Sequence, residues 1–177
     1  LAAAGTTVAV WALASWLPSY LVSYRHTSPH TFQPYVLGAY LLGLLAMLAF
    51  SPMVDRLRRR SAILAVGLAA SGVLVLVVGL VPAAPYLVLI AAIITIIYGV
   101  TLLIVQGYQD LTTEVHRVGT ENGLMNALSN LYAGVVPFGM GWLIDLGGGG
   151  YGYAFGFLFL LLAISGVAAM GMHRLGY

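Results

Sequence analysis

The sequence contains no cysteine, so a disulfide framework and thiolate chemistry are both excluded, and the redox compartment cannot be read. Charge is nearly as scarce: 7% of the 177 residues are charged, against 61% hydrophobic and a mean hydropathy of +0.99. So little polar surface cannot cover a water-soluble globule, and the chain reads as a membrane protein whose surroundings are a lipid bilayer. The formal charge of +2 is too small to argue for a nucleic-acid partner. There is no HExxH, no pair of carboxylates at depth and no Cys/His or Ser/His dyad on a shared face. An intramembrane enzyme is therefore not expected, nor is a metal or cofactor. The opening run also lacks the basic flank and small-residue cleavage site of a signal peptide.

Long apolar runs are what the sequence does have. Roughly 20 helical residues cross about 30 Å of hydrocarbon. Runs of that size recur six times, at about residues 3–24, 34–54, 61–81, 86–106, 122–144 and 153–172. They are apolar on all sides rather than alternating, which fits helices and not the strands of a transmembrane barrel. The polar stretch RHTSPHTFQP, the breaker VPAAP, the connector GYQDLTTEVHRVGTE and the glycine turn DLGGGGYG separate them. The predicted fold class is all-α: a polytopic membrane protein with six transmembrane helices over residues 1–177.

Alternation of the runs collects Arg56, Arg58, Arg59, Arg60, Arg117 and Arg174 on one side and leaves Arg25 on the other. Basic residues in short loops are retained in the cytoplasm, so both termini are predicted to face it, in a plasma or inner membrane. An arginine at mid-membrane costs about 2.5–3.5 kcal/mol on insertion scales, which keeps these side chains outside the hydrocarbon.

The connector SPMVDRLRRR, residues 51–60, places four arginines and an aspartate within six positions. Orientation alone is an adequate account of Arg58 and Arg60. Asp55 asks for more, because a carboxylate at the inner mouth of a helix pair can accept hydrogen bonds from a neighbouring helix N-terminus and pair with a basic side chain. The stretch resembles the loop signature G-x-x-x-D-R-x-G-R-R of the major facilitator superfamily. Asp55, Arg56, Arg59 and Arg60 match it, while Ser51 and Arg58 stand where the family has glycine. WLPSYL, Trp16 to Leu21, resembles the end of the seventh helix in the superfamily's organic-anion symporters. The run from Arg117 to Asp145 resembles their passage from tenth to eleventh helix.

The resemblance implies one six-helix half of a facilitator-type bundle. Asp55, Arg56 and Arg59 would form an inner latch, with Asp110 or Glu114 as the partner of Arg59; an ordinary solvated connector is the competing reading of those two acids. The degraded signature, the lack of an arginine in the fourth run and the absence of a long charged linker after the sixth favour the C-terminal half. On this reading the chain is a fragment whose N-terminal six-helix half is missing. It would belong to a secondary carrier that moves a small solute by alternating access. An organic anion is the substrate class implied, and a proton the candidate co-transported ion. The alternative is a stand-alone six-helix protein, acting as a homodimeric half-carrier or as a non-transporting scaffold.

In the resembled fold the first, second, fourth and fifth helices of each half line the cavity, and the third and sixth lie outside. Asn122, Asn126 and Asn130 recur at four-residue intervals and so share one face. That face must meet protein or water rather than lipid. Asn126 and Asn130 lie deeper and are the first candidates for substrate contact, whereas Asn122 reads equally well as an interhelical hydrogen bond. The first run carries Thr7, Trp11, Ser15 and Ser19 on one stripe and Trp16, Tyr20 and Tyr24 on another. Trp11 is too deep for an interfacial aromatic belt and, with Ser15, is a candidate cavity wall; Tyr24 suits the belt. Tyr40 and Tyr98 complete the predicted cavity set. Gln33, Tyr35, Thr95, Thr101 and Gln106 rank behind them, since threonines within crossings often bond their own backbone. Pro18 is expected to kink the outer part of the first helix. No ionisable side chain lies near the middle of a run, so the coupling chemistry is expected in the other half.

Overall fold

The computed structural model describes residues 2–56, 60–81, 85–105 and 118–174, with side chains at all of these except 2, 53–56, 118, 132 and 172–174. Every regular element among them is helical. Helix α1 is Ala2–Ser19, continued by a π-helical turn, Tyr20–Tyr24. Helices α2, Pro29–Arg56, and α3, Arg60–Leu80, follow. Helix α4, Tyr86–Ile96, passes through a second π-helical turn, Ile97–Thr101, and continues to residue 105. Helices α5, Val118–Leu146, and α6, Gly152–Arg174, complete the chain.

Five of these, α2 to α6, are long and apolar enough to cross a membrane. The 18 α-helical residues of α1 span about 27 Å at 1.5 Å per residue, and the π turn extends them.

The helix starts differ from expectation where capping overrides composition. α2 begins at Pro29 rather than near residue 34, because the Ser28 carbonyl accepts the N–H groups of Thr31 and Phe32 at 3.0 and 3.3 Å. Pro29 thus occupies the first helical position, where its missing N–H leaves nothing unpaired. The expected distortion at Pro18 takes the form of the π turn that follows it, in which Arg25 N–H reaches back to Tyr20 O at 2.9 Å.

α3 and α6 run along each other and form the back of the bundle. Gly72 sits against Phe159 and Leu162, and Gly79 against Phe155, so the absence of side chains there lets the two helices close. α1 packs on α5 and α6, while α4 packs on α2 and α3. Exchanging the first three helices for the last three maps α1–α5 onto α4–α2 and α1–α6 onto α4–α3, as in an inverted repeat, although α5 also packs on α6 and α2 makes no comparable contact with α3. The front layer is accordingly α2, α4, α1 and α5.

At the end of the bundle that carries the α1 π turn, the lone basic residue of that side has a structural task. Tyr20 is 1% exposed, and its hydroxyl donates to Val78 O at 3.1 Å. Arg25 donates from Nε to the same hydroxyl at 2.7 Å and from Nη2 to Val78 O at 3.2 Å, and lies over the Tyr86 ring at 4.7 Å. Val78 belongs to the last turn of α3, whose carbonyls have no partner within the helix, so a guanidinium there satisfies both a hydrogen bond and the helix dipole. Tyr20→Phe keeps the ring and loses both bonds. It is expected to lower stability by about 1–2 kcal/mol in a thermal unfolding measurement, whereas Tyr24→Phe, at an exposed ring, leaves it unchanged.

Candidate functional site

Near the middle of the front layer the structure joins three of the sequence-predicted residues. Trp11, on α1 and 44% exposed, donates its indole N–H to Asn130 Oδ1 on α5 at 3.0 Å. Asn130 Nδ2 donates to the backbone O of Asn126 at 2.9 Å and to Asn126 Oδ1 at 2.7 Å. The four-residue spacing of the asparagines makes this relay possible, because it stacks the two amides on one helical face. Asn126 is exposed, and its amide nitrogen makes no hydrogen bond among the described residues. Ser15, one turn beyond Trp11 on α1, is exposed as well. The result is a neutral polar surface holding an indole face, at least two free donors and, among the described residues, no ionised group.

The other half of the layer carries an aromatic counterpart. Tyr40 on α2 and Tyr98 on α4 meet edge to face, with ring centroids 4.9 Å apart and an interplanar angle of 77°. Under the exchange of the two three-helix repeats, this α2–α4 pair corresponds to the α5–α1 pairing of Asn130 with Trp11. Both pairs lie near the middle of their helices.

Gly99 makes the α2–α4 contact possible. A Cβ there would lie 2.8 Å from Gly43 O and 2.8 Å from Ala46 Cβ, so the two backbones touch beside the tyrosines. Sequence reasoning missed this crossing. Its only signal was two separate glycines on different helices, with no motif to connect them.

Thr95 and Thr101 bond their own helix, donating to Ala91 O and Ile97 O at 2.8 Å each, and Thr101 is fully buried. They are structural hydroxyls. Trp16, from the second α1 stripe, donates to Pro137 O on α5 at 3.1 Å, and its ring lies against Gly141. That contact ties α1 to the proline turn of α5. Asn122 is half-buried.

The predicted latch lies outside this description: Asp55 and Arg56 close α2 but their side chains are not described, and Arg59, Asp110 and Glu114 fall outside the described residues. Gln106 does too.

The front layer thus carries neutral polar and aromatic groups near the middle of its helices. The family model described as Major Facilitator Superfamily matches residues 1–174. The chain belongs to this family. Comparison with curated proteins and with solved structures gives no match. As a major facilitator protein it is an integral membrane transporter. α3 and α6 contribute none of the named polar residues, and Val66, Val73, Leu160, Ile164 and Val167 stand exposed on them.

Proposed function

We propose that this chain forms the C-terminal six-helix half of a secondary carrier, with Trp11, Ser15, Asn126, Asn130, Tyr40 and Tyr98 forming its wall of the substrate cavity. The observation that carries the reading is the relay from Trp11 through Asn130 to Asn126, whose hydrogen bonds are exposed near the middle of α1 and α5. Leaving such groups against acyl chains costs several kcal/mol for each unbonded polar group. Water, solute or a facing bundle must meet them instead. Alternating access requires two bundles rocking about a midplane site, so a second six-helix unit is the natural cover for this layer.

The solute is small and bears hydrogen-bond acceptors, since the free groups on this wall, the Asn126 amide and the Ser15 hydroxyl, can donate. An organic anion is the class implied by WLPSYL and the stretch from Arg117 to Asp145. Its charge, and any coupled proton, would be handled by groups in the facing unit. Asp55, Arg56 and Arg59, with Asp110 or Glu114, would close the cytoplasmic mouth by the ion-paired latch described above. Both termini would then face the cytoplasm, in a plasma or inner membrane.

The chain's lack of cysteine makes the test direct. Single replacements Ser15→Cys and Asn126→Cys are expected to react with a membrane-impermeant thiol reagent and to be protected by a transported solute, while Val66→Cys on α3 stays unreactive. Uptake of organic acids, sugars and cationic drugs, with and without a proton gradient, identifies that solute. Unreactive Ser15→Cys and Asn126→Cys proteins would place the layer against lipid and sink the reading in favour of a scaffold.

A further inference from the structure

The α1–α5 interface opens, beyond the Trp16–Pro137 bond, into a second cleft that the transport reading does not use. Its volume is about 310 Å³, and Trp16, Ser19, Ser23, Tyr24, Asp145 and Tyr151 line it. That is the lower end of the range for small-molecule sites.

Three aromatic rings converge on it from two helices and a turn. Tyr24 lies 5.3 Å from Tyr151 at 52°, and Trp16 lies 6.5 Å from Tyr151 at 72°. Two of the rings are held in place. Tyr151 is buried and its hydroxyl is hydrogen-bonded to Ser19 Oγ at 3.0 Å, while the Trp16 indole is held by Pro137 O. Angled rings of this kind present π faces and edges around a common space, as a cage does.

Asp145 supplies the charge. It sits in the last turn of α5, where the helix dipole is already negative, so an exposed carboxylate there is unfavourable unless a cation is close. Arg25 is engaged at the end of α3, as described, and no basic side chain among the described residues lines the cleft. The glycine turn that follows keeps the rim open. Gly148 and Gly149 take φ values of 63° and 90°, which suit glycine, and a Cβ at either would meet nothing within 4 Å.

A single carboxylate among aromatic walls is a poor site for a divalent metal, which demands several oxygen ligands. With no donor cluster it is a poor site for an anion too. We propose that this cleft binds a small organic monocation of the alkylammonium class, with Asp145 opposing its charge and Trp16, Tyr24 and Tyr151 enclosing its alkyl groups. Trp16 lies five residues along α1 from Trp11, about 7.5 Å of helix rise, so the cleft sits beyond the mid-depth polar wall and is distinct from it. A free solute and the headgroup of a choline lipid share this chemistry.

The test is equilibrium binding of radiolabelled tetramethylammonium to the purified protein in nanodiscs of phosphatidylglycerol. Saturable binding is expected, displaced by unlabelled tetramethylammonium but not by its neutral isostere 2,2-dimethylpropane derivatives such as neopentyl alcohol, nor by sodium at equal ionic strength. Asp145→Asn, at an exposed position that leaves folding intact, should weaken it about tenfold, and Tyr24→Leu several-fold. Asn130→Leu should leave it unchanged, which separates this site from the transport wall. Nanodiscs containing phosphatidylcholine distinguish the two sources. A reduced apparent affinity assigns the site to the lipid headgroup, an unchanged one to a free solute, and either keeps the cation site. No saturable binding, equal binding of the neutral isostere, an unaltered Asp145→Asn protein, or a loss on Asn130→Leu matching that on Asp145→Asn would each overturn it.

Discussion

Asn130→Leu should lower initial uptake by about 10- to 100-fold while leaving the amount of folded protein close to wild type. The leucine keeps the volume of the side chain but removes the acceptor of the Trp11 indole N–H and the donor to Asn126. Two groups then lose their protein partner on the wall proposed to bind solute, and the Trp11 ring loses the bond that fixes its angle. Positioning of this kind is where carriers and enzymes alike lose rate, because a loosened wall must be ordered anew by each ligand. Stability should change little, since an interhelical hydrogen bond within a membrane is worth about 0.6 kcal/mol on average. Trp11→Phe keeps an aromatic face, though a smaller one, without the N–H and should fall between wild type and Asn130→Leu. The measurement is the initial rate in proteoliposomes for whichever solute the wild type accumulates. Wild-type uptake by Asn130→Leu would remove this residue from the cavity.

The second large effect is one of stability. Gly99→Val sets a branched side chain where even a Cβ lies 2.8 Å from Gly43 O, a backbone atom that cannot swing aside. Overpacking typically costs about 1–3 kcal/mol, and at this crossing α2 must back away along its whole contact with α4. A fall in melting temperature of about 5–10 °C is expected for a chain of this size, read by fluorescence-detected size exclusion after heating. The separation also parts Tyr40 from Tyr98, so uptake should fall in protein that remains folded. Gly38→Val, on the partner helix α2, is the control, because a Cβ there meets nothing within 4 Å. Equal losses from both variants would show that the effect is one of helix propensity rather than of close approach.

These two residues also mark how far the chain could be read without its fold. Asn130 was legible. An amide stripe at four-residue spacing on an apolar helix has one physical meaning, and the sharing of a face follows from helical geometry alone. That its partner is Trp11 was not legible, because the two residues are 119 positions apart in the chain and no local pattern encodes the register of α1 and α5. Gly99 was opaque for the same reason, as its meaning lies in the carbonyl of Gly43 on another helix. Thr95 and Thr101 were left open between ligand and backbone bond, and only the rotamers decided for the backbone. The start of α2 was mislaid because Ser28–Pro29 was read as loop polarity when it is a cap followed by a proline at the first helical position.

Length and hydropathy alone determined that this protein is a bundle of helices able to cross a membrane, with its amides on one stripe. A chain in lipid must satisfy its backbone internally, and each segment does so by itself. Which helices touch, which indole meets which amide, and where two backbones come close enough to need glycine were decided by tertiary packing. There the energies are side-chain contacts between segments far apart in the chain, and no single segment contains that information.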